Sequence, residues 1–252
     1  MTGSFETDDT ICLTFDVEWA ADDVIADVVA ELKKRDLAAT FFCTQSGIEF
    51  SGHERALHPN FRRNGDTMIA LKSDSGEEFE HLDEATLFAA VIEKTKSFCP
   101  EAVGVRTHSL FFELQLLPVF RSNGLKYDSS MLMPLQPHLG PHKTMWDIIE
   151  LPIFYMDHFD LVNQASDFRL QGLGLDRPGL KVFDFHPTLL FINAPTDAHY
   201  QDCKSVYGNS AALLAKRHEG RGIRDLFLDL VDYIATHRHP APMLEQVASA
   251  VA

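Results

Sequence analysis

The sequence predicts a single α/β domain in which about seven strands alternate with helices and curl into a barrel, closed or incomplete. Three observations lead there. Strand-like and helix-like segments alternate along the chain, the pattern of parallel βα units. The 252 residues suit one α/β barrel, a fold that often reaches this length as one unit. A composition of 45% hydrophobic and 23% charged residues can bury a large core, with 19 phenylalanines to fill it. No internal repeat, low-complexity tract or domain boundary interrupts residues 1–252.

Ile11 to Trp19 reads as the first strand. A helix follows, with Asp22 or Asp23 as its cap and Ile25, Val28, Val29 and Leu32 on one apolar face. Ala38 to Cys43 and Arg55 to His58 read as the second and third strands. Pro59 to His81 is a long polar connection with Gly65, Gly76 and acidic Glu77, Glu78 and Glu80, expected to be a lid, a substrate loop or a disordered segment. Asp83 starts a helix that buries Leu87, Val91, Ile92 and Phe98 and stops near Pro100. Val103 to Phe111 begins as a strand. Leu114 to Asn123 reads as a helix with Pro118 in its first turn and Gly124 at its end. Tyr127–Leu132, Ile148–Tyr155 and Lys181–Ile192 supply further strands, and Ile223, Phe227, Leu230 and Ile234 mark a late helix.

The formal charge of −15 argues against nucleic acid or an anionic membrane as partner and favours a neutral or cationic substrate. Cys12, Cys43, Cys99 and Cys203 form no CxxC and ask for no disulfide. Met1 to Asp9 is polar and acidic, unlike a secretory signal, and no window is long enough to span a membrane. The expected compartment is the cytoplasm. GxSxG, GxxxxGK[ST] and GxGxxG motifs are absent, which leaves little for a serine hydrolase or a nucleotide-binding loop.

Thr14-Phe15-Asp16-Val17-Glu18-Trp19 ends the first strand-like run. Residues two apart in a strand point the same way, so Asp16 and Glu18 are expected on one face. Strand ends on the carboxyl side are where α/β folds place active sites. Two carboxylates there repel each other unless a cation or a shared proton intervenes. The pair is thus a metal or acid–base site, or a solvated strand end. In Gly52-His53-Glu54-Arg55-Ala56-Leu57-His58-Pro59, the proline favours an extended backbone at His58. A neutral imidazole beside carboxylates is a good metal ligand, and a hydrogen-bonded structural histidine is the alternative. Arg106-Thr107-His108-Ser109 places Arg106 and His108 on one face, with Arg106 a counter-charge for Asp16. Phe183-Asp184-Phe185-His186-Pro187 sets Asp184 and His186 in an apolar run, where a buried imidazole needs a partner. Asp16, Glu18, His58, Arg106, His108 and His186 are therefore the candidate centre of a metal or acid–base site.

The ordered set resembles the polysaccharide deacetylase family, also called the NodB-homology fold. Thr14 to Glu18 resembles its TFDxD motif with Glu in the final place. Ala39-Thr40-Phe41-Phe42 resembles its ATFF strand, and Gly52-His53-Glu54 its GHE approach, which puts His58 at the first metal-histidine position. Arg106 falls on the arginine of the third motif and His186 on the strand-end histidine of the last. Leu244-Glu245-Gln246-Val247 resembles a common closing helix, so the resemblance spans residues 11–247. The phrases RxHSLF and FDFHP are most similar to a branch from surface-polysaccharide gene clusters.

The resemblance implies a distorted (β/α) barrel and metal-assisted removal of an acyl group from an N-acylated sugar or glycan precursor. It implies Asp16 as base, Glu18 and His58 as metal ligands, Arg106 as the partner that positions Asp16, and His186 as acid. The family's second ligand histidine, four residues after the first, is here Arg62, which cannot bind a metal. His108 stands where the family commonly has proline and is expected to supply the third ligand. One carboxylate and two histidines suit Zn²⁺, and also Fe²⁺, Co²⁺ or Ni²⁺. Two other readings stand beside this one: a metal-free amidohydrolase in which Arg62 replaces the cation, and a carbohydrate-binding protein without turnover. In the cytoplasm the substrate expected is a nucleotide- or lipid-linked sugar.

Overall fold

The computed structural model describes residues 10–47, 51–163 and 166–251; the polar stretch Met1–Asp9 lies outside them. Nine strands form one sheet: β1 Ile11–Asp16, β2 Thr40–Cys43, β3 Glu54–Leu57, β4 Gly104–Val105, β5 Tyr127–Asp128, β6 His142–Lys143, β7 Ile149–Glu150, β8 Ile153–Met156 and β9 Lys181–Phe185. Their order is β6-β7-β5-β4-β3-β2-β1-β9-β8. All neighbours are parallel except β6 and β7. The sheet curls into an incomplete barrel. The count exceeds the expected seven because β6, one of four strands with only two residues, is too short to show a period, and because Ile148–Tyr155 holds two strands. Pro152, which lacks an N–H, separates those two.

Alternation along the strands builds two layers of core. Leu13 and Phe15 of β1, Phe41 of β2, and Phe183 and Phe185 of β9 face the helices outside. Cys12, Phe42, Ala56, Tyr127, Ile149 and Val182 face inward and meet Leu244, Val247 and Ala248 of the last helix, Leu244–Val251. That helix closes one end of the barrel. There, Glu54 accepts hydrogen bonds from Tyr127 (2.7 Å), Thr40 (2.7 Å) and the Glu245 amide (3.0 Å). A Cβ at position 104 would stand 1.9 Å from the Tyr127 ring, so the close approach requires glycine. By the same parity, the inward face of β1 ends at Asp16 and that of β3 continues to His58, at the carboxyl ends of the strands.

The outer helices follow the expected periodicity. Helix α1, Asp22–Lys33, buries Val24, Ile25, Val28 and Leu32, but its N-cap is Ala21; Asp22 and Asp23 lie in its first turn, where the helix dipole favours them. The expected loop from Pro59 to His81 is instead largely helical, with α2 at Asp66–Ser75 and a 3₁₀ turn at Gly76–His81. Helix α2 has almost no amphipathic pattern to betray it, and the side chains of 77, 78 and 80 lie outside the description. Helix α3, Glu84–Lys96, starts where expected, with Asp83 accepting from the Thr86 amide at 2.8 Å. Helix α4, Leu116–Ser122, holds Pro118 in its first turn. Helix α5 spans Asp157–Asn163 and α6 Pro187–Phe191, the latter ending the strand expected to reach Ile192. Helices α7 (Asp197–Cys203), α8 (Ser210–Ala215) and α9 (Ile223–His237) follow, and α10 is the closing helix. The four cysteines are buried and free, and no described helix is long and apolar enough to cross a membrane.

Candidate active site at the carboxyl ends of the strands

The strand expected to reach Trp19 ends at Asp16. Glu18 and Trp19 then adopt the left-handed conformation, with φ of 45° and 57°. The two acids therefore do not meet by strand alternation; a tight turn brings Glu18 back to the cavity. Hydrogen bonds hold that turn: Val17 N to Phe42 O (3.0 Å), Trp19 N to Thr44 Oγ1 (2.9 Å), and Tyr207 Oη to Glu18 O (3.0 Å). Consecutive non-glycine residues in this region cost of order 1–3 kcal/mol each and persist only where the surroundings fix them.

The backbone pairing of β3 with β4 runs on past both strands and brings His58 and His108 together. Arg106 N donates to Leu57 O at 2.9 Å and His108 N to Pro59 O at 2.9 Å. His108 is not on a strand, as its spacing from Arg106 had implied, but opens a 3₁₀ turn, His108–Leu110. The His58 and His108 rings lie 5.5 Å apart, edge to face, and Trp19 packs on His108 at 5.3 Å. His53, at the other end of β3, packs on Phe41 instead.

Arg106 is fully buried between two carboxylates. Its Nη1 lies 3.0 Å from Asp16 Oδ1, 2.6 Å from Asp184 Oδ1 and 2.8 Å from Thr14 Oγ1. Its Nε and Nη2 donate to the Ser129 carbonyl (2.8 Å) and hydroxyl (2.9 Å), and the guanidinium stacks 4.2 Å over Phe42. Burial, together with the charge of Asp16, pushes Asp184 well above the usual carboxylate range despite the attraction of Arg106. The Asp184 Oδ2 atom is buried without a partner, which suits a protonated acid.

His186 lies one residue beyond β9, beside the rung of Asp16. Its Nδ1 is 2.6 Å from Asp157 Oδ1, and its backbone amide donates to Asp157 Oδ2 at 2.7 Å. Its Nε2 is 3.7 Å from Glu18 Oε1. Burial opposes a charge on this imidazole, but the carboxylates of Asp157 and Glu18 outweigh it and hold His186 well above its ordinary pKa. Asp157 was not evident in the sequence. It follows β8, whose Met156 pairs with Asp184, and so arrives next to His186. An acid between a strand-like run and a helix was the only available signal.

Two sets of three donor atoms converge within 4.8 Å: Glu18, His58 and His108, and Asp16, Asp184 and His186. The second already contains a cation, the Arg106 guanidinium. The first contains none. His58 is enclosed, yet neither of its ring nitrogens has a hydrogen-bond partner. Its Nε2 stands 3.7 Å from Asp16 Oδ2 and 4.0 Å from Glu18 Oε1. His108 Nδ1 is 3.0 Å from Glu18 Oε1, near enough for attraction but off the line a ring N–H would need, so it too counts as unpartnered. Burying such atoms without partners costs roughly 1–3 kcal/mol each. Glu18 itself is held well below the usual range: burial opposes this, but the imidazoles of His186, His108 and His58 beside it prevail. An ionised carboxylate and two imidazoles facing one point fit a divalent cation. Arg62 does not enter this space. It is exposed, and its Nη2 donates to Ser109 Oγ at 2.6 Å.

Residues 13–204 match the family described as WbmS-like, polysaccharide deacetylase. A similar crystal structure is a protein from Bordetella bronchiseptica described as a polysaccharide deacetylase involved in O-antigen biosynthesis. It is 25% identical, with 90% of this chain and 91% of that chain covered and a TM-score of 0.76. A Mycobacterium smegmatis protein described as a polysaccharide deacetylase shares the fold at 16% identity, 97% and 90% coverage and a TM-score of 0.57. So does a mutant of a Bacillus anthracis family 4 pseudoenzyme with restored activity, at 12% identity, 96% and 68% coverage and a TM-score of 0.51. No curated protein matches.

Proposed function

The chain belongs to the WbmS-like polysaccharide deacetylase family and is a hydrolase of the deacetylase type, and from that premise we propose that it removes the acyl group of an N-acylated sugar at a cation held by Glu18, His58 and His108. The observation that carries this reading is the orphaned His58 Nε2 facing Asp16 and Glu18. A divalent cation bound there would polarise the acyl carbonyl and acidify a water.

The chain's own groups supply the proton transfers. Asp16 is the base. Arg106 fixes its orientation through Oδ1, leaving Oδ2 towards His58. His186 is the acid. Its Nδ1 is occupied by Asp157, so Nε2 is the nitrogen that presents a proton to the leaving amine. The tie to Asp157 also keeps the ring charged until that proton is needed. Trp19 and Tyr207 buttress the turn that carries Glu18.

The reading is tested by following amine release from N-acetylated and N-formylated amino sugars with bound metal quantified on the same protein. Release is expected to track cation content. Full activity in metal-free protein would favour a metal-free amidohydrolase, and no release at any metal content would leave a carbohydrate-binding protein. His186→Ala is expected to lower kcat about 10²-fold with metal content unchanged; loss of metal would make His186 a ligand. His108→Ala is expected to weaken metal affinity by at least about tenfold, against a His53→Ala control that keeps it. Full occupancy in the His108 variant would remove His108 from the ligand set.

A further inference from the structure

Beside the histidine pair the chain opens a second cavity of about 750 Å³. Its near wall holds Phe61, Arg62 and Phe111, each within four residues of His58 or His108. The Arg62–Ser109 hydrogen bond ties that wall to the turn carrying His108. Of the four phenylalanines that line it, Phe61 and Phe88 are buried and 5.2 Å apart, while Phe79 and Phe111, the latter 5.5 Å from Phe61, are half-buried and offer ring faces. Its rim carries Arg62, Arg63 and Lys72, opposed by the carboxylates of Glu84 and Glu113. Among the described lining residues three side chains are cationic and two anionic. Arg62 and Arg63 form no ion pair among the described residues, and both are exposed.

We infer that this cavity receives the nucleoside diphosphate of an activated sugar whose N-acyl group lies at Glu18, His58 and His108. The position of the sugar rests on the deacylase reading; the handle rests on the cavity itself. Guanidinium groups recognise phosphate oxygens through paired, charge-assisted hydrogen bonds. Aromatic faces take a nucleobase by stacking, worth about 1–3 kcal/mol per base. The volume lies within the roughly 300–1,000 Å³ usual for small-ligand sites. A prenyl-linked sugar fits less well. Its carrier lies in an anionic bilayer surface, which repels an acidic chain, and a long prenyl chain exceeds the cavity.

The test is calorimetric titration of the full chain with UDP, dTDP, CDP, GDP and ADP, and with farnesyl diphosphate as the lipid probe. One nucleotide is expected to bind saturably, more weakly as salt rises. Reversing the rim with Arg62→Glu and Arg63→Glu together is expected to weaken that binding at least about tenfold. Arg63→Lys, which keeps the charge but not the paired donors, is expected to lose less than the charge reversal. Thermal melts report that the variants, altered only at exposed positions, remain folded. No saturable nucleotide binding, or an affinity indifferent to the charge reversal, would overturn the inference. So would farnesyl diphosphate binding more tightly than every nucleotide. Nucleotide binding without amine release from any acylated sugar keeps the handle and removes the deacylase reading. Amine release without nucleotide binding does the reverse.

Discussion

Asp16→Asn is expected to lower kcat by about 10²–10⁴-fold, the range a positioned general base contributes, and to leave the fold intact. The substitution is isosteric. The asparagine carbonyl can still accept from Arg106 Nη1, which lies 3.0 Å from Asp16 Oδ1, and Arg106 keeps its bonds to Asp184 and Ser129. What is lost is the ability of Oδ2 to take a proton from water. The measurement is steady-state kinetics with thermal unfolding and metal content on the same preparation. Activity within a few-fold of wild type would transfer the base role to another group. A loss of metal together with activity would instead mean that Asp16 acts through the cation site.

Arg106→Met is expected to cost about 3–5 kcal/mol of stability, because removing one partner of a buried ion pair leaves an uncompensated charge. Methionine keeps much of the aliphatic stem and its contact with Phe42, so the loss reports the guanidinium. Asp16 would then keep its charge with no cation beside it, Asp184 would lose its donor, and the Ser129 hydroxyl and carbonyl would lose theirs. Denaturant unfolding of the single variant and of Arg106→Met combined with Asp184→Leu is the check. The double variant is expected to recover part of the loss. A single-variant cost below about 1 kcal/mol would show that Asp16 and Asp184 are not stabilised by Arg106.

The barrel and the six candidate residues were legible because strand alternation and the carboxyl-end rule act over short stretches. Asp16, His58, Arg106 and His186 were each marked by two or three neighbours in sequence. The reasoning for Glu18 and His108 was wrong in detail, since Glu18 leaves the strand at φ 45° and His108 sits in a 3₁₀ turn. Both still reach the cavity, because the continued pairing beyond β3 and β4 carries His108 to Pro59. Asp157 was missed because its partner lies 29 residues further on and only the β8–β9 pairing joins them. Ser129, which holds Arg106 from 23 residues away, was missed for the same reason. Helix α2 was taken for a loop because its sequence has neither an apolar stripe nor a side-chain cap.

Asp157 follows β8, the last strand in the sheet order, paired on one side with β9. Its other side meets only the irregular segment 131–135, through hydrogen bonds at Ile153 and Phe154. Glu18, His58 and His108 hang from β1, β3 and β4, which lie inside the sheet. Edge elements open locally at lower free energy than interior ones. Fluctuations that peel β8 outward thus carry Asp157 away from His186 and leave the three donors of the cation site in place. Amide hydrogens of β8 are therefore expected to exchange before those of β1 and β3, which a hydrogen-exchange time course checks.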